Sequence, residues 1–125
     1  MRIAVVSLFP VMLREALMHG VLGRAIERSV FEVEYIDPRD FATDVHRTVD
    51  DRPYGGGPGM VLKVEPLRSA MRAAVASMPA GSRRVYLGAD GRRFEQGMAR
   101  EAACRPGLIL VAGRYEGVDE RFIEA

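Results

Sequence analysis

The run Leu108 to Ala112 (LILVA) constrains this chain more than any other stretch. An uninterrupted series of apolar, mostly branched residues fits a strand buried on both faces of a parallel sheet. The run breaks at Gly113, and Arg114, Tyr115, Glu116, Gly117, Asp119, Glu120 and Arg121 follow at once. A buried strand that empties into a polar, glycine-flanked loop places that loop at the carboxyl edge of the sheet. Open α/β sheets bind ligands at that edge. Gly113 and Gly117 permit close approach of backbone to a ligand, Tyr115 offers a flat face, and the charges offer hydrogen bonds. An ordinary strand-to-helix turn with solvated charges would use the same residues, so this stretch alone leaves both readings open.

The remaining chain supplies partners for such a strand. Met1 to Leu8 reads as a first buried strand, ended by Phe9-Pro10. From Pro10, a residue accepted at helix starts, Leu13, Ala16, Leu17, Val21, Ala25 and Ile26 recur at helical spacing. Gly20 and Gly23 weaken that helix, so two shorter helices with a bend fit equally well. Phe31, Val33 and Tyr35 alternate with Glu32 and Glu34, the period-2 pattern of a half-exposed strand, closed by Asp37-Pro38-Arg39-Asp40. No periodicity follows from Phe41 to about Met60. Pro66 then stands near the start of a helix whose stripe is Leu67, Ala70, Met71, Ala74, Val75 and Met78, stopped by Pro79 and Gly81. Arg83 to Leu87 is a short strand, Gly88-Ala89-Asp90-Gly91 a turn, and Glu95 to Ala103 a helix leading back to Leu108. Strands and helices alternate, which predicts an α/β class with a largely parallel sheet and flanking helices. The 125 residues, 48% hydrophobic, suit one domain with a real core.

Charge and cysteine usage exclude more than they assign. The formal net charge is +1, so no global field draws the chain to nucleic acid or membrane. Every basic residue except Lys63 is arginine, whose fork pairs with phosphates and stacks on bases, although a coding bias would give the same skew. Cys104 is the single cysteine, which rules out an intrachain disulfide and makes a reducing cytosol the default; it is expected to pack as a small hydrophobe. The apolar start is too short for a signal peptide, and no segment approaches a membrane span. A soluble, cytoplasmic protein is expected.

The least ordinary segment is Asp50 to Met60 (DDRPYGGGPGM), with four glycines and two prolines between Pro53 and Gly59. Such a run cannot continue a helix or a central strand. It makes a loop kinked at its prolines, with bare backbone N–H groups that can cradle an anion, while Asp50, Asp51 and Arg52 can read polar edges of a base or fix the loop. It is neither a phosphate-binding Walker loop nor a dinucleotide fingerprint. A flexible surface loop would more often be rich in serine. His19 and His46 are too few for a metal cluster, and no Gly-x-Ser-x-Gly elbow occurs. Met71, Met78 and Met98 read as core filler. Arg83-Arg84 and Arg92-Arg93 read as solvated pairs, with contact to RNA phosphates as the alternative.

Together, TVDDRPYGGGPGM (Thr48 to Met60) and LILVAGRYEGVDER (Leu108 to Arg121) resemble the bacterial tRNA (guanine-N1)-methyltransferases, of the trefoil-knotted SPOUT class. VSLFP (Val6 to Pro10) and PRDF (Pro38 to Phe41) fit the same family, and the likeness covers the whole chain. The resemblance implies methyl transfer from S-adenosylmethionine to N1 of the guanine just 3′ of the tRNA anticodon. It implies that Tyr86, Leu87 and Gly88 line one side of the cofactor pocket, and Gly113, Tyr115, Glu116 and Gly117 another. Asp50, Arg52, Pro58 and Gly59 would face the target nucleotide, with Arg114 near the methyl-transfer centre and Glu116 as the candidate magnesium ligand. Homodimers are implied as well.

Two departures from the family pattern stand out. Gly88-Ala89-Asp90-Gly91 replaces a usual Ser-Pro-Gln-Gly, and Ala112 replaces a frequent cysteine. The family also continues beyond this length, through the segment that threads the knot and carries the aspartate general base. The expectation is therefore an N-terminal cofactor-binding domain over residues 1–125, with the knot incomplete and the isolated chain inactive. The alternative is a non-catalytic RNA-binding or dimerisation module derived from that enzyme.

Overall fold

Residues 1–123 are described by a computed structural model. Four strands form one sheet in the order β2-β1-β6-β5, all parallel: β1 is Arg2–Val6, β2 Glu32–Ile36, β5 Arg83–Tyr86 and β6 Gly107–Val111. Its helices are α1 (Pro10–Leu17), α2 (Gly20–Glu27), α3 (Val64–Ser77), α4 (Gln96–Ala103) and a short α5 (Glu120–Ile123). The bend between α1 and α2 realises the two-helix alternative. Gly20 adopts φ +64, and a Cβ on Gly23 would strike the carbonyl oxygen of Met18 at 2.2 Å. Only a glycine lets the second helix start so close to the first.

Two further elements lie where the sequence shows no period. A 3₁₀ turn, Pro38–Phe41, follows β2, and a two-stranded antiparallel ribbon pairs β3 (Asp50–Asp51) with β4 (Val61–Leu62). Strands of two residues leave no alternation to read.

The core lies on one face of the sheet. Leu67, Ala70, Ala74 and Met78 of the α3 stripe pack with Ala4 and Val6 of β1 and Ile109 and Val111 of β6. The stripe expected from Leu67 to Met78 is therefore the core face, although Val75 is exposed and Met71 only partly buried. The other face is covered more thinly. Arg14 of α1 lies over the Tyr35 ring at 5.2 Å, and Arg83 of β5 meets Glu101 of α4 at 2.9 Å. Leu108 and Leu110 point to that side and are half-buried, so β6 is not the doubly buried strand its sequence suggests. Two other expectations need correction. Cys104 caps the end of α4 and is exposed, not packed. Arg83 is ion-paired rather than merely solvated, because α4 brings Glu101 across it.

Candidate active site at the carboxyl edge

All four strands deliver their carboxyl ends to one edge. β1 runs on into Ser7, Leu8 and Phe9, β5 into Leu87 and Gly88, and β6 into Ala112 and Gly113. The ladder extends slightly beyond the strands: Leu87 N–H donates to the Val111 carbonyl at 3.0 Å and Ala112 N–H to the Val6 carbonyl at 3.0 Å.

The two long motifs, far apart in sequence, meet here. Glu116 N–H donates to the Met60 carbonyl at 3.0 Å, Leu62 N–H to the Gly117 carbonyl at 3.1 Å, and Asp119 N–H to the Leu62 carbonyl at 3.3 Å. Leu62 and Val118 also form a parallel bridge and are both buried. The ribbon β3–β4 is thus continued by the loop after β6. Its glycine-rich tip stands out from this junction: Tyr54 is fully exposed, and Gly59 lies beneath the Glu116 side chain. A Cβ on Gly59, whose φ is +88, would fall 2.3 Å from Glu116 Cγ.

The Tyr86 ring occupies the centre of the edge. A Cβ on Gly113 would come within 3.2 Å of Tyr86 Cε2, and one on Gly117 within 3.7 Å of its hydroxyl. The closeness of Gly113 therefore answers first to Tyr86, not to open ligand space. Tyr86 also walls a groove of about 790 Å³ between α3 and β5, lined by Met71, Val75, Val111 and Phe122 with Arg84 at its rim. The turn 88–91 closes without a proline, through Gly91 N–H to the Gly88 carbonyl at 3.2 Å. Asp90 Oδ1 folds back to 2.6 Å from where a Gly88 Cβ would stand, so glycine at 88 goes with aspartate at 90.

Arg114 lies with its guanidinium carbon 4.8 Å from the Phe9 ring centre and 6.0 Å from that of Tyr115. Tyr115 takes a left-handed φ of +62, which turns the chain sharply after Arg114. Nearby, Asp37 accepts from Arg39 Nε and Nη2, and Arg39 Nη2 also reaches the Leu8 carbonyl at 2.7 Å. Burial pushes the Asp37 carboxyl up, but the Arg39 side chain and backbone N–H outweigh it and hold it below its ordinary value. Asp40 pairs with Arg47, and Asp44 accepts from the Thr48 hydroxyl and N–H, which secures the chain leading to β3. Beyond the loop, Arg121 binds Asp119 through Nε, Nη2 and its own N–H. The side-chain bond from Arg121 leads in lowering the Asp119 carboxyl to about 2.

Tyr86, Leu87, Gly88, Gly113, Arg114, Tyr115, Glu116, Gly117 and Gly59 thus gather at one edge. Asp50 sits in β3 opposite Leu62, a step behind it, and Arg52 and Pro58 are exposed on the loop. Among the described residues, no group of three His, Cys, Asp or Glu side chains stands together, so Glu116 has no companion donors for a metal.

A family model for tRNA (Guanine-1)-methyltransferase TrmD matches residues 1–125. The chain belongs to this family. A relative from Methylococcus capsulatus named tRNA (guanine-N(1)-)-methyltransferase is 58% identical over 124 residues, covering 99% of this chain and 49% of its own. A protein of the same name from Hahella chejuensis is 58% identical over 120 residues, covering 96% of this chain and 46% of its own. The crystal structure of tRNA (m1G37) methyltransferase from Aquifex aeolicus superposes with a TM-score of 0.87 at 34% identity, over 99% of this chain and 56% of that one. The chain spans about half the length of the curated relatives it matches. Within this TrmD half, sequence reasoning missed Phe9, Ser7 and Arg39 as parts of the edge. Their motifs, VSLFP and PRDF, were visible, but not that β1 brings Phe9 to Arg114 or that Arg39, after β2, reaches across to the Leu8 carbonyl.

Proposed function

We propose that this chain is the donor-binding half of a tRNA guanine-N1 methyltransferase that uses S-adenosylmethionine. The observation that carries the proposal is the junction of Met60–Leu62 with Glu116–Asp119, which brings the glycine-rich loop and the post-β6 loop to one edge. The residues fit such a donor. The N–H groups of Gly113, Arg114 and Tyr115 have no backbone partner among the described residues, so they are available to a nucleoside's polar edge. Tyr86 supplies an apolar wall. S-adenosylmethionine, when bound, supplies the electrophilic methyl group; the chain's part is to orient it, since an in-line transfer depends chiefly on positioning. In this reading Arg114, whose guanidinium has no ion-pair partner among the described residues, meets a carbonyl or phosphate oxygen of the target nucleotide, and Asp50, Arg52, Pro58 and Gly59 confine it. Glu116 would take part in holding magnesium only together with groups from substrate or water.

The partners in this reading come from the family. The substrate is tRNA, and the compartment the cytoplasm. No helix among the described residues is long and apolar enough to cross a membrane. Val11 and Met12 on α1, Met18 after it and Val21 on α2 are exposed apolar side chains, which supports a homodimer, and also supports the reading of the chain as a dimerisation module.

A methyl-transfer assay tests the proposal, using a full-length family member that carries this sequence as residues 1–125. Labelled methyl should appear at N1 of the guanine 3′ of the anticodon, and Arg114→Ala should lower the single-turnover rate on the order of a hundredfold. Binding of S-adenosylmethionine and tRNA without transfer would favour the non-catalytic reading.

A further inference from the structure

We propose that Phe9 is a positioning residue for Arg114. The inference rests on the reading of Arg114 just given.

Ser7 is the single buried polar side chain among the described residues, and its Oγ accepts the Phe9 N–H at 3.2 Å. Ser7 N–H donates to the Ile36 carbonyl at 3.0 Å, and the Leu8 carbonyl accepts from Arg39 at 2.7 Å. Pro10 then opens α1 with its fixed φ. Every residue from Ser7 to Pro10 is thereby pinned, yet Phe9 remains 38% exposed. Phe9 is not among the buried residues of the core cluster, and its ring has another contact. Its partner is the Arg114 guanidinium, 4.8 Å above the ring centre. No carboxylate lies within ion-pair distance of Arg114 among the described residues, so its charge is held without being neutralised. A guanidinium seated on an aromatic face keeps its in-plane N–H edge free for an oxygen of the substrate. An ion pair to a carboxylate would have used that edge.

The test separates ring chemistry from bulk. In the full-length protein carrying this sequence, Phe9→Leu and Phe9→Met should slow single-turnover methyl transfer about threefold to fivefold at saturating tRNA, with KM unchanged. Phe9→Tyr and Phe9→Trp should stay within about twofold of the parent rate, because both retain an aromatic face. In the 125-residue chain, nuclear magnetic resonance should show the Arg114 side-chain protons shifted upfield by the ring, and the shift lost in Phe9→Leu. Equal rates for Phe9→Leu and the parent, with Arg114→Ala slow, would overturn the positioning role and leave Arg114 standing. Equal slowing by all four variants would assign Phe9 a role of shape and overturn it too. A full rate for Arg114→Ala would overturn both readings, and the absence of any ring shift would remove the contact itself.

Discussion

The loops Pro53–Gly59 and Gly113–Gly117 are both rich in glycine and both stand at the carboxyl edge, but they use glycine differently. At Gly113 the reason is space, because the Tyr86 ring lies within 3.2 Å of where a Cβ would be. At Gly57 the reason is the backbone, whose φ of +119 no ordinary L-residue adopts, and nothing lies within 4 Å. The loop Gly113–Gly117 is bound to its surroundings by backbone hydrogen bonds on either side of Gly117 and by the arginine stacked on Phe9. The loop Pro53–Gly59 has, among the described residues, one backbone bond within its tip, Gly56 N–H to the Pro53 carbonyl, and is otherwise held at its base. One loop is therefore built before any ligand arrives. The other can shape itself to what it meets, at a cost in ordering of roughly 1–2 kcal/mol per residue fixed.

The difference disappears if the base that joins the loops is removed. Leu62 is 2% exposed, and its backbone binds both Gly117 and Asp119. Leu62→Ala should cost about 2–5 kcal/mol in urea unfolding, from lost burial and the cavity left behind. It should also raise hydrogen exchange at Glu116 to match that of the glycine-rich tip. Protection of Glu116 that survived the substitution would show the post-β6 loop to be held by β6 alone.

Much of this edge was legible in sequence, and the remainder was hidden for physical reasons. Branched apolar runs identify β1 and β6, and the stripe from Leu67 to Met78 identifies α3, because burial imposes a period. The order β2-β1-β6-β5 leaves no such trace, since periodicity reports which face is buried and not which neighbour lies alongside. The stacking of Phe9 on Arg114 was invisible for the same reason. The ribbon β3–β4 is too short to alternate, so the segment Phe41 to Met60 read as wholly irregular. Cys104 was misplaced because residue type was allowed to stand for burial, whereas the end of α4 faces outward.

The claim that Gly113 answers to Tyr86 can be sharpened by a double-mutant cycle. Gly113→Val places a branched side chain against the ring and should lower stability by about 1–3 kcal/mol, the usual range for overpacking. In a Tyr86→Ala background the same substitution should cost about 1 kcal/mol less or better, a coupling expected of residues in contact. Additive costs would mean that the strain at 113 lies elsewhere, and that ligand space is the better explanation for the glycine.

The smallest expected effect lies at the far end of the docked loop, where Asp119 is fixed through its N–H to Leu62 and through its carboxylate to Arg121. The Arg121 side-chain bond leads in lowering this carboxyl to about 2, below the ordinary aspartate value of about 3.9. A depressed folded-state value fixes the sign of the linkage. Whatever the interaction contributes to stability is complete above the unfolded value and is lost as pH falls from about 4 through about 2. Following the Asp119 side-chain carboxyl carbon through an acid titration should give a midpoint near 2, and Arg121→Ala should return it toward 3.9. Because the pair is solvated, the expected signal is a displaced midpoint rather than a large change in unfolding free energy. A midpoint unmoved by Arg121→Ala would mean that the backbone N–H of residue 121 and the nearby Arg68 charge hold the carboxylate low without the Arg121 side chain. Asp119 would then owe its fixed position to backbone bonds alone, its N–H to Leu62 and the N–H of residue 121.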